Sequence, residues 1–125
     1  MADLAIWDDY DLLRFCRARK FVLKDVCLMF QNCMDWRKKE QVDTIIETYQ
    51  FPEFEEVQKV YSHGYHMLDN QGRPIYIERV GLMDIPKLFE TTSEERIVRH
   101  YIQEYELLMK VKFPVCSLLA GKHIG

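Results

Sequence analysis

The feature that most constrains the fold is one change of sequence period in the middle of the chain. Residues 64–68 and 74–80 are rich in Tyr, Ile and Val, and a turn tetrapeptide of sequence DNQG (residues 69–72) lies between them. This pattern predicts a β-hairpin. A hairpin is only marginally stable alone and needs further strands or a helix layer. We therefore expect helices of this chain to cover the hairpin, and further strands from outside the chain to complete the sheet.

The sequence before the hairpin has helical period. Asp8 and Asp9 suit the start of a first helix, where acidic side chains complement the helix dipole. Arg19 and Lys20 suit its last turn for the opposite reason. Helices are predicted over residues 9–20, 24–39, 42–49 and 53–61.

Helical period returns after the hairpin. Thr92 and Glu95 match a capping box, which predicts a long helix over residues 93–112. We expect Pro114 to stop this helix, because proline lacks a backbone donor. One apolar stripe of the helix contains Ile97, Val98, Tyr101, Ile102, Tyr105, Leu108, Met109 and Lys112. The predicted fold class is therefore α/β and incomplete, with a helical N-terminal part followed by a β-hairpin and a long helix.

Composition excludes several classes of protein. The 125 residues are 48% hydrophobic and 30% charged, which is typical of a globular domain. The formal net charge of −3 creates no positive field that would attract nucleic acid. No apolar run approaches the roughly 20 residues of a membrane helix, and the first residues do not resemble a signal peptide. We expect a cytoplasmic protein whose four cysteines are reduced core thiols, since no pair has CxxC spacing.

The sequence does not predict an enzyme. None of the three serines lies in a GxSxG motif, and the glycines are too scattered to form a phosphate-binding loop. His63 and His66 are three residues apart, which in a strand directs them to opposite faces and argues against a metal site. We therefore expect no catalytic residue, no metal and no cofactor.

Arg19 is the unusual charge of the first predicted helix. A helical wheel places it within the apolar stripe of Phe15 and Cys16. A charge in that position must be paired or hydrogen-bonded. A buried ion pair with a carboxylate of another helix meets this demand, and spacing alone favours it. The alternative is an anion site, for instance for a phosphate. Lys20 has the same two interpretations, as a helix-dipole partner or as an anion ligand.

Two tyrosines form the second candidate site. If residues 69–72 form a four-residue loop, Leu68 pairs with Arg73 and Tyr65 lies directly opposite Tyr76. Both rings then share one face of the hairpin, beside Met67 and Pro74. A tyrosine pair can form half of a cage for a quaternary ammonium group, although an ordinary cross-strand pair in the core is more common. Tyr105 of the long helix could join either arrangement.

These motifs coincide with those of a known family. Residues 12–21 read LLRFCRARKF and closely resemble the LLRFLRARKF signature of CRAL-TRIO proteins, more narrowly of the yeast-type phosphatidylinositol/phosphatidylcholine transfer proteins. Further matches follow in the same order at residues 29–33, 36–38, 69–76, 92–96, 104–106 and 114–117. Because several separate motifs occur in the right order, the resemblance is specific and covers nearly all of residues 9–121.

The resemblance implies a division of the chain. Residues 1–61 would form the helical N-terminal subdomain, and residues 62–125 the start of the lipid-binding lobe. In this family a mostly parallel sheet floors an apolar pocket that holds one phospholipid. We expect the present chain to stop before the central strand of that sheet.

The resemblance also implies a function and its residues. Arg19 and Lys20 match residues associated with the phosphoinositide headgroup, Tyr65 and Tyr76 match tyrosines that contact choline, and Tyr105 matches a further pocket tyrosine. We expect non-catalytic phospholipid binding and transfer between membranes by a peripheral protein. Its partners would be a phospholipid, a transient membrane surface and a protein that covers the exposed apolar helix face. The alternative is a truncated helical interaction module docked in a larger assembly.

Overall fold

The computed structural model describes residues 7–125, in which helices precede and follow one antiparallel hairpin along the chain. The helices and strands are α1 (Asp9–Ala18), α2 (Leu23–Lys39), a 3-10 turn (Val42–Thr44), α3 (Ile45–Thr48), α4 (Phe54–Val60), β1 (His63–Leu68), β2 (Pro74–Glu78), a 3-10 turn (Val80–Leu82), α5 (Ile85–Thr91), α6 (Glu94–Leu107), a π-helical segment (Leu108–Lys112) and α7 (Phe113–Ala120). The predicted fold class, with helices followed by a hairpin and a long helix, is confirmed. Within the described part of the chain, no helix is long and apolar enough to cross a bilayer.

The chain divides into two units, Met1–Asp43 and Thr44–Gly125. The first unit contains α1 and α2, which pack against each other. The rings of Phe15 and Phe30 meet edge to face, with centroids 5.2 Å apart, and Trp7 packs edge to face on both. The predicted domain boundary between residues 61 and 62 rests on the family resemblance and stays a prediction.

Helix α1 ends two residues earlier than predicted. Its start is as expected, because the Asp8 carboxylate caps it by accepting the Asp11 N–H at 2.8 Å. After Ala18 the backbone leaves the helix, and Lys20 and Phe21 take left-handed conformations with φ of 50° and 61°. The Phe21 N–H then closes the end on a carbonyl of the last turn.

The second unit has a small core between its helices. Val57 of α4, Leu88 of α5 and Ile97 of α6 are buried together with Tyr61. Helix α5 was not predicted from the sequence, although Asp84 caps it and Pro86 lies in its first turn. A seven-residue helix is too short to show a clear helical period. The N-cap aspartate and the first-turn proline are therefore the sequence signals that indicate this helix.

The start of α6 differs from the predicted capping box. Ser93, not Thr92, is the N-cap, and its hydroxyl accepts the Arg96 N–H at 3.3 Å. Thr92 instead ends α5 and donates its hydroxyl to Glu53 at 3.0 Å. The two helices are so close in sequence that adjacent residues end one and cap the other.

The prediction that Pro114 stops the long helix is wrong. Helical backbone continues from α6 through the π segment into α7, and Pro114 lies in the first turn of α7. The wider turns of a π segment change the hydrogen-bond register, and a proline at a first helical turn removes no bond that an α-helix would make. Helix α7 ends at Gly121, whose φ of 62° is left-handed.

The buried face of α6 is only partly the predicted stripe. Ile97 is buried as expected, but His100 and Glu106 are buried as well. Val98 and Tyr105 of the predicted stripe remain exposed. The short helices and the hairpin that pack on α6 cover a narrower and more polar face than the apolar pattern indicates.

The four cysteines are free thiols, but they do not share one environment. Cys116 is buried, Cys16 and Cys33 are partly buried, and Cys27 is exposed. The prediction of core thiols is therefore confirmed for Cys116 and wrong for Cys27. Helical spacing does not by itself decide which apolar positions find a packing partner.

Candidate functional site

The second unit contains a pocket of about 320 Å³ between the hairpin and the helices that follow it. We call it the tyrosine pocket. Its lining residues are Tyr65, Pro74, Tyr76, Glu78, Tyr101, Glu104, Tyr105, Leu108 and Phe113. Four phenol rings and two carboxylates thus surround one cavity.

The hairpin contributes the pair Tyr65 and Tyr76. They are direct cross-strand partners, as predicted, and their ring centroids lie 5.1 Å apart at 64°. They share a face because residues opposite each other in antiparallel strands point to the same side of the sheet. The predicted neighbour Pro74 also lines the pocket.

The register changes near the turn, and here the prediction is wrong. Leu68 pairs with Pro74 instead of Arg73, so a bulge separates this pair from the tyrosine pair. Met67 lies at the bulge with a left-handed φ of 57°, and its side chain is 77% exposed and does not line the pocket. A bulge re-aims one side chain while the pairs beyond it keep their register.

Asp69 holds the turn together. Its carboxylate accepts the N–H groups of Gln71 at 2.8 Å and Arg73 at 2.9 Å, and it binds the Arg73 guanidinium at 2.7 Å. These bonds, led by the backbone N–H of Arg73, lower the pKa of Asp69 to about 2. The backbone N–H of Asp69 donates to the Arg73 carbonyl at 2.8 Å and closes the loop.

Helix α6 contributes the opposite wall. Glu104 and Tyr105 follow Tyr101 by three and four residues, so both lie beside Tyr101 on the helix surface that lines the pocket. Tyr105 is 63% exposed even though it lines the pocket, so the cavity is open on this side. Tyr101 is held in place by a hydrogen bond between its hydroxyl and that of Tyr61.

The pKa values of the Tyr65 and Tyr76 phenols are raised above the ordinary value of 10, so both are neutral at pH 7. Burial raises the pKa of Tyr65, and the Glu104 carboxylate raises it further. Burial also raises the pKa of Tyr76, and hydrogen bonding with Tyr101 opposes this. Neutral rings beside carboxylates present negative π faces and negative charge, which together suit an organic cation.

A layer of aromatic rings and two histidines lies behind the pocket. The His63 ring is 5.6 Å from that of Tyr101 and 6.0 Å from that of His100. His100 stacks on Phe51 with centroids 4.6 Å apart. Burial lowers the pKa of both histidines. The layer is therefore uncharged at neutral pH and supports the tyrosines from behind.

Arg19 and Lys20 belong to the first unit, where they follow the last turn of α1. Both are exposed, and Arg19 forms no ion pair with any residue in 7–125. The buried ion pair that spacing favoured is therefore contradicted. The wheel position was misleading because Arg19 lies just beyond the helix, where a rotation of 100° per residue no longer applies.

Sequence reasoning placed four of the nine lining residues at this site, namely Tyr65, Pro74, Tyr76 and Tyr105, and it missed four that carry the electrostatics and shape of the pocket. The missed residues are Glu78, Tyr101, Glu104 and Phe113. Tyr101 and Glu104 could have been found, since Tyr101 precedes Tyr105 by four residues and Glu104 follows Tyr101 by three. Glu78 and Phe113 give no such signal, because their place depends on how the hairpin and α7 pack. No group of three potential metal ligands occurs within residues 7–125.

Comparison with known proteins identifies a consistent set of relatives. The chain is 47% identical over 119 residues to phosphatidylinositol/phosphatidylcholine transfer protein SFH9 of Arabidopsis thaliana, which covers 94% of this chain and 21% of that protein. It is 45% identical over 114 residues to the Sec14 cytosolic factor of Schizosaccharomyces pombe. That match covers 91% of this chain and 40% of the Schizosaccharomyces pombe protein. The SEC14 cytosolic factor of Kluyveromyces lactis is 43% identical over 114 residues. That match covers 91% of this chain and 38% of the Kluyveromyces lactis protein. No protein-family model matches the chain.

These relatives confirm the resemblance predicted from the sequence. Nearly the whole chain aligns with proteins of the phosphatidylinositol/phosphatidylcholine transfer type at 41–47% identity. The chain spans between 21% and 40% of the length of the three relatives named above. The similarity therefore concerns one segment of those proteins.

Proposed function

We propose that this chain, a segment similar to phosphatidylinositol/phosphatidylcholine transfer proteins, forms part of a non-catalytic phospholipid-binding and transfer site. The observation that carries the proposal is the tyrosine pocket. Its rings and carboxylates suit a lipid headgroup, and no step of bond making or breaking is required of them.

The tyrosine pocket is proposed to receive the choline group of phosphatidylcholine. Tyr65 and Tyr76 offer two ring faces at 64° to each other, and Tyr105 adds a third ring at the open side. A quaternary ammonium group cannot donate hydrogen bonds, so ring faces and nearby carboxylates are what it can use. Glu78 and Glu104 supply the negative charge.

Arg19 and Lys20 are proposed to bind the anionic headgroup of phosphatidylinositol. The exposed, unpaired guanidinium of Arg19 supports this role, because nothing in residues 7–125 neutralises it. Guanidinium groups bind phosphate oxygens through two parallel hydrogen bonds, and the Lys20 ammonium can add a third contact.

Transfer requires that the lipid leave one membrane and enter another. We infer that the protein works in the cytosol and touches membranes transiently, as the name cytosolic factor of two relatives suggests for those proteins. Acyl chains shielded from water would supply most of the affinity, at about 0.8 kcal/mol per buried CH₂ group. The headgroup residues would then decide which lipid is carried.

The test is to purify the intact protein and identify bound lipids by mass spectrometry, followed by transfer of labelled phosphatidylcholine and phosphatidylinositol between vesicles. We expect both phospholipids in the purified protein and transfer of both. A protein that holds no phospholipid and transfers none would refute the proposal.

Exposed apolar side chains on α7 favour a second candidate, an interaction module in a larger assembly. Leu118 and Leu119 are 83% and 75% exposed and adjacent. Such a patch is typical of a protein contact. The apolar stripe over residues 97–109, with only one hairpin to cover it, predicts that residues 1–125 alone are poorly soluble or need a partner. A monodisperse, cooperatively melting monomer of these residues would contradict it.

A further inference from the structure

A lysine of the protein itself contacts two residues that line the tyrosine pocket. The Lys112 ammonium is 4.4 Å from the centroid of the Tyr65 ring. It is also 3.5 Å from a carboxylate oxygen of Glu104. One aromatic face and one carboxylate of the pocket are thus engaged by the same internal cation.

The π segment explains how Lys112 reaches this position. In an uninterrupted α-helix, residues eight apart differ by about 80° around the axis, so Lys112 and Glu104 would not face each other. A π-helical turn spans one more residue than an α-helical turn and rotates less per residue. Leu108–Lys112 forms such a turn and brings Lys112 towards the side of Glu104.

The Lys112 ammonium is held there by interactions of modest strength. The side chains of Lys112 and Glu104 are each 31% exposed, so solvent screens their attraction. A lysine has a flexible four-carbon stem and can turn outwards without moving the backbone. Its ammonium is therefore positioned to be displaced.

We propose that Lys112 is a displaceable internal cation that occupies the choline position on Tyr65 and Glu104 until a headgroup replaces it. This inference rests on the proposed choline site and names a residue that sets its affinity. Two cations cannot share one ring face and one carboxylate, so a quaternary ammonium group must first displace Lys112. The lysine thereby weakens choline binding, while a headgroup without a positive charge meets no such competition at these two groups.

The experiment is a titration of the intact protein with choline, followed by NMR of Tyr65 and of the Lys112 side chain. In the wild type, the Lys112 methylene protons next to the ammonium should show an upfield shift from the Tyr65 ring. Choline should remove this shift with the same half-saturation as the change at Tyr65. This readout needs no variant. The inference is overturned if the chemical shift of the Lys112 methylene protons stays unchanged while choline binds.

The matched variants are Lys112→Met and Lys122→Met. Both remove one positive charge from the second unit, but only Lys112 contacts the Tyr65 ring and the Glu104 carboxylate, and Lys122 is exposed. Lys112→Met should bind choline roughly two- to fivefold more tightly, the range of one exposed cation–π contact. Lys122→Met should bind it like the wild type.

The outcomes separate this inference from the proposed function. Equal or weaker choline binding by Lys112→Met, with clear binding by the wild type, overturns the role of Lys112 and leaves the choline site in place. No choline binding by either protein overturns both.

Discussion

The Arg96 guanidinium binds both carboxylate oxygens of Glu53, which lies 43 residues earlier, with Nη2 2.7 Å from Oε2. Arg96 also stacks over the rings of Tyr49 and Phe51, at 5.8 Å from each centroid. The pair therefore ties the start of α6 to the segment before α4. Hydrogen bonding to Arg96 lowers the pKa of Glu53 to about 2.

Glu53→Gln should destabilise the second unit. It keeps the shape of the side chain but removes the charge, and Arg96 then loses its partner. We expect the melting temperature at pH 7 to fall by roughly 4–8 °C, since the exposure of Arg96 screens part of the attraction. Glu56→Gln, which removes the exposed pair of Glu56 with Lys59, is the control and should change the melting temperature far less.

The pH dependence of that loss has a definite sign. The pKa of Glu53 is lower in the folded state than the ordinary value of 4.5. Its contribution is therefore complete above about pH 4.5 and is lost as the pH falls towards 2. The wild type and Glu53→Gln should converge in stability over this window in acid unfolding followed by circular dichroism. A constant difference between them down to pH 2 would contradict the ion pair.

His63 and His100 should make the protein sensitive to mild acid. Burial lowers the pKa of both, although the Glu104 carboxylate opposes this for each. The unfolded state then takes up protons more readily, so the free energy of unfolding should be constant above about pH 6.5 and fall below it. Urea unfolding at a series of pH values measures this slope.

His100→Phe is the variant that tests it. A phenyl ring keeps the stacking on Phe51 and cannot be protonated. We expect a shallower fall in stability between pH 6.5 and pH 5 than in the wild type. His66→Phe, at an exposed position of β1, is the control. An unchanged slope in His100→Phe would show that this histidine does not contribute.

Tyr65 should contribute to choline binding through its ring and not its hydroxyl. Tyr65→Leu removes the ring face and should weaken phosphatidylcholine transfer by the intact protein by roughly three- to thirtyfold, the range of one cation–π contact. Tyr65→Phe keeps the face and should retain most of the transfer. Equal loss in both variants would argue for a hydroxyl contact and against the cage.

Arg19→Ala should separate the two lipids. In the intact protein we expect phosphatidylinositol binding to weaken by about 1.5–3 kcal/mol, roughly ten- to a hundredfold, with phosphatidylcholine binding little changed. Arg17→Ala removes an exposed charge two residues earlier and is the matched control. Arg19 is exposed and unpaired within residues 7–125. The melting temperature of the Arg19→Ala protein should therefore equal that of the wild type. Equal loss for both lipids with a lower melting temperature would end its assignment as a headgroup ligand.

Local sequence was enough to predict the tyrosine pair. The turn tetrapeptide sets where the hairpin reverses, and the period of two sets which side chains share a face, so Tyr65 and Tyr76 could be placed opposite each other. The same rules failed at Leu68 and Met67. A bulge costs little in a two-stranded ribbon, and no residue type in this segment marks it.

The sequence by itself determined the order of helices and hairpin, the cap at Asp8 and the tyrosine pair, because each depends on residues close together in the chain. Only the tertiary structure decided where α1 ends, that helical backbone passes Pro114, and that Lys112 contacts both Glu104 and the Tyr65 ring. These outcomes depend on small differences in backbone register, which packing selects among local conformations of similar energy. The arrangement of charged groups at the tyrosine pocket depends on this packing, and no sequence motif predicts it.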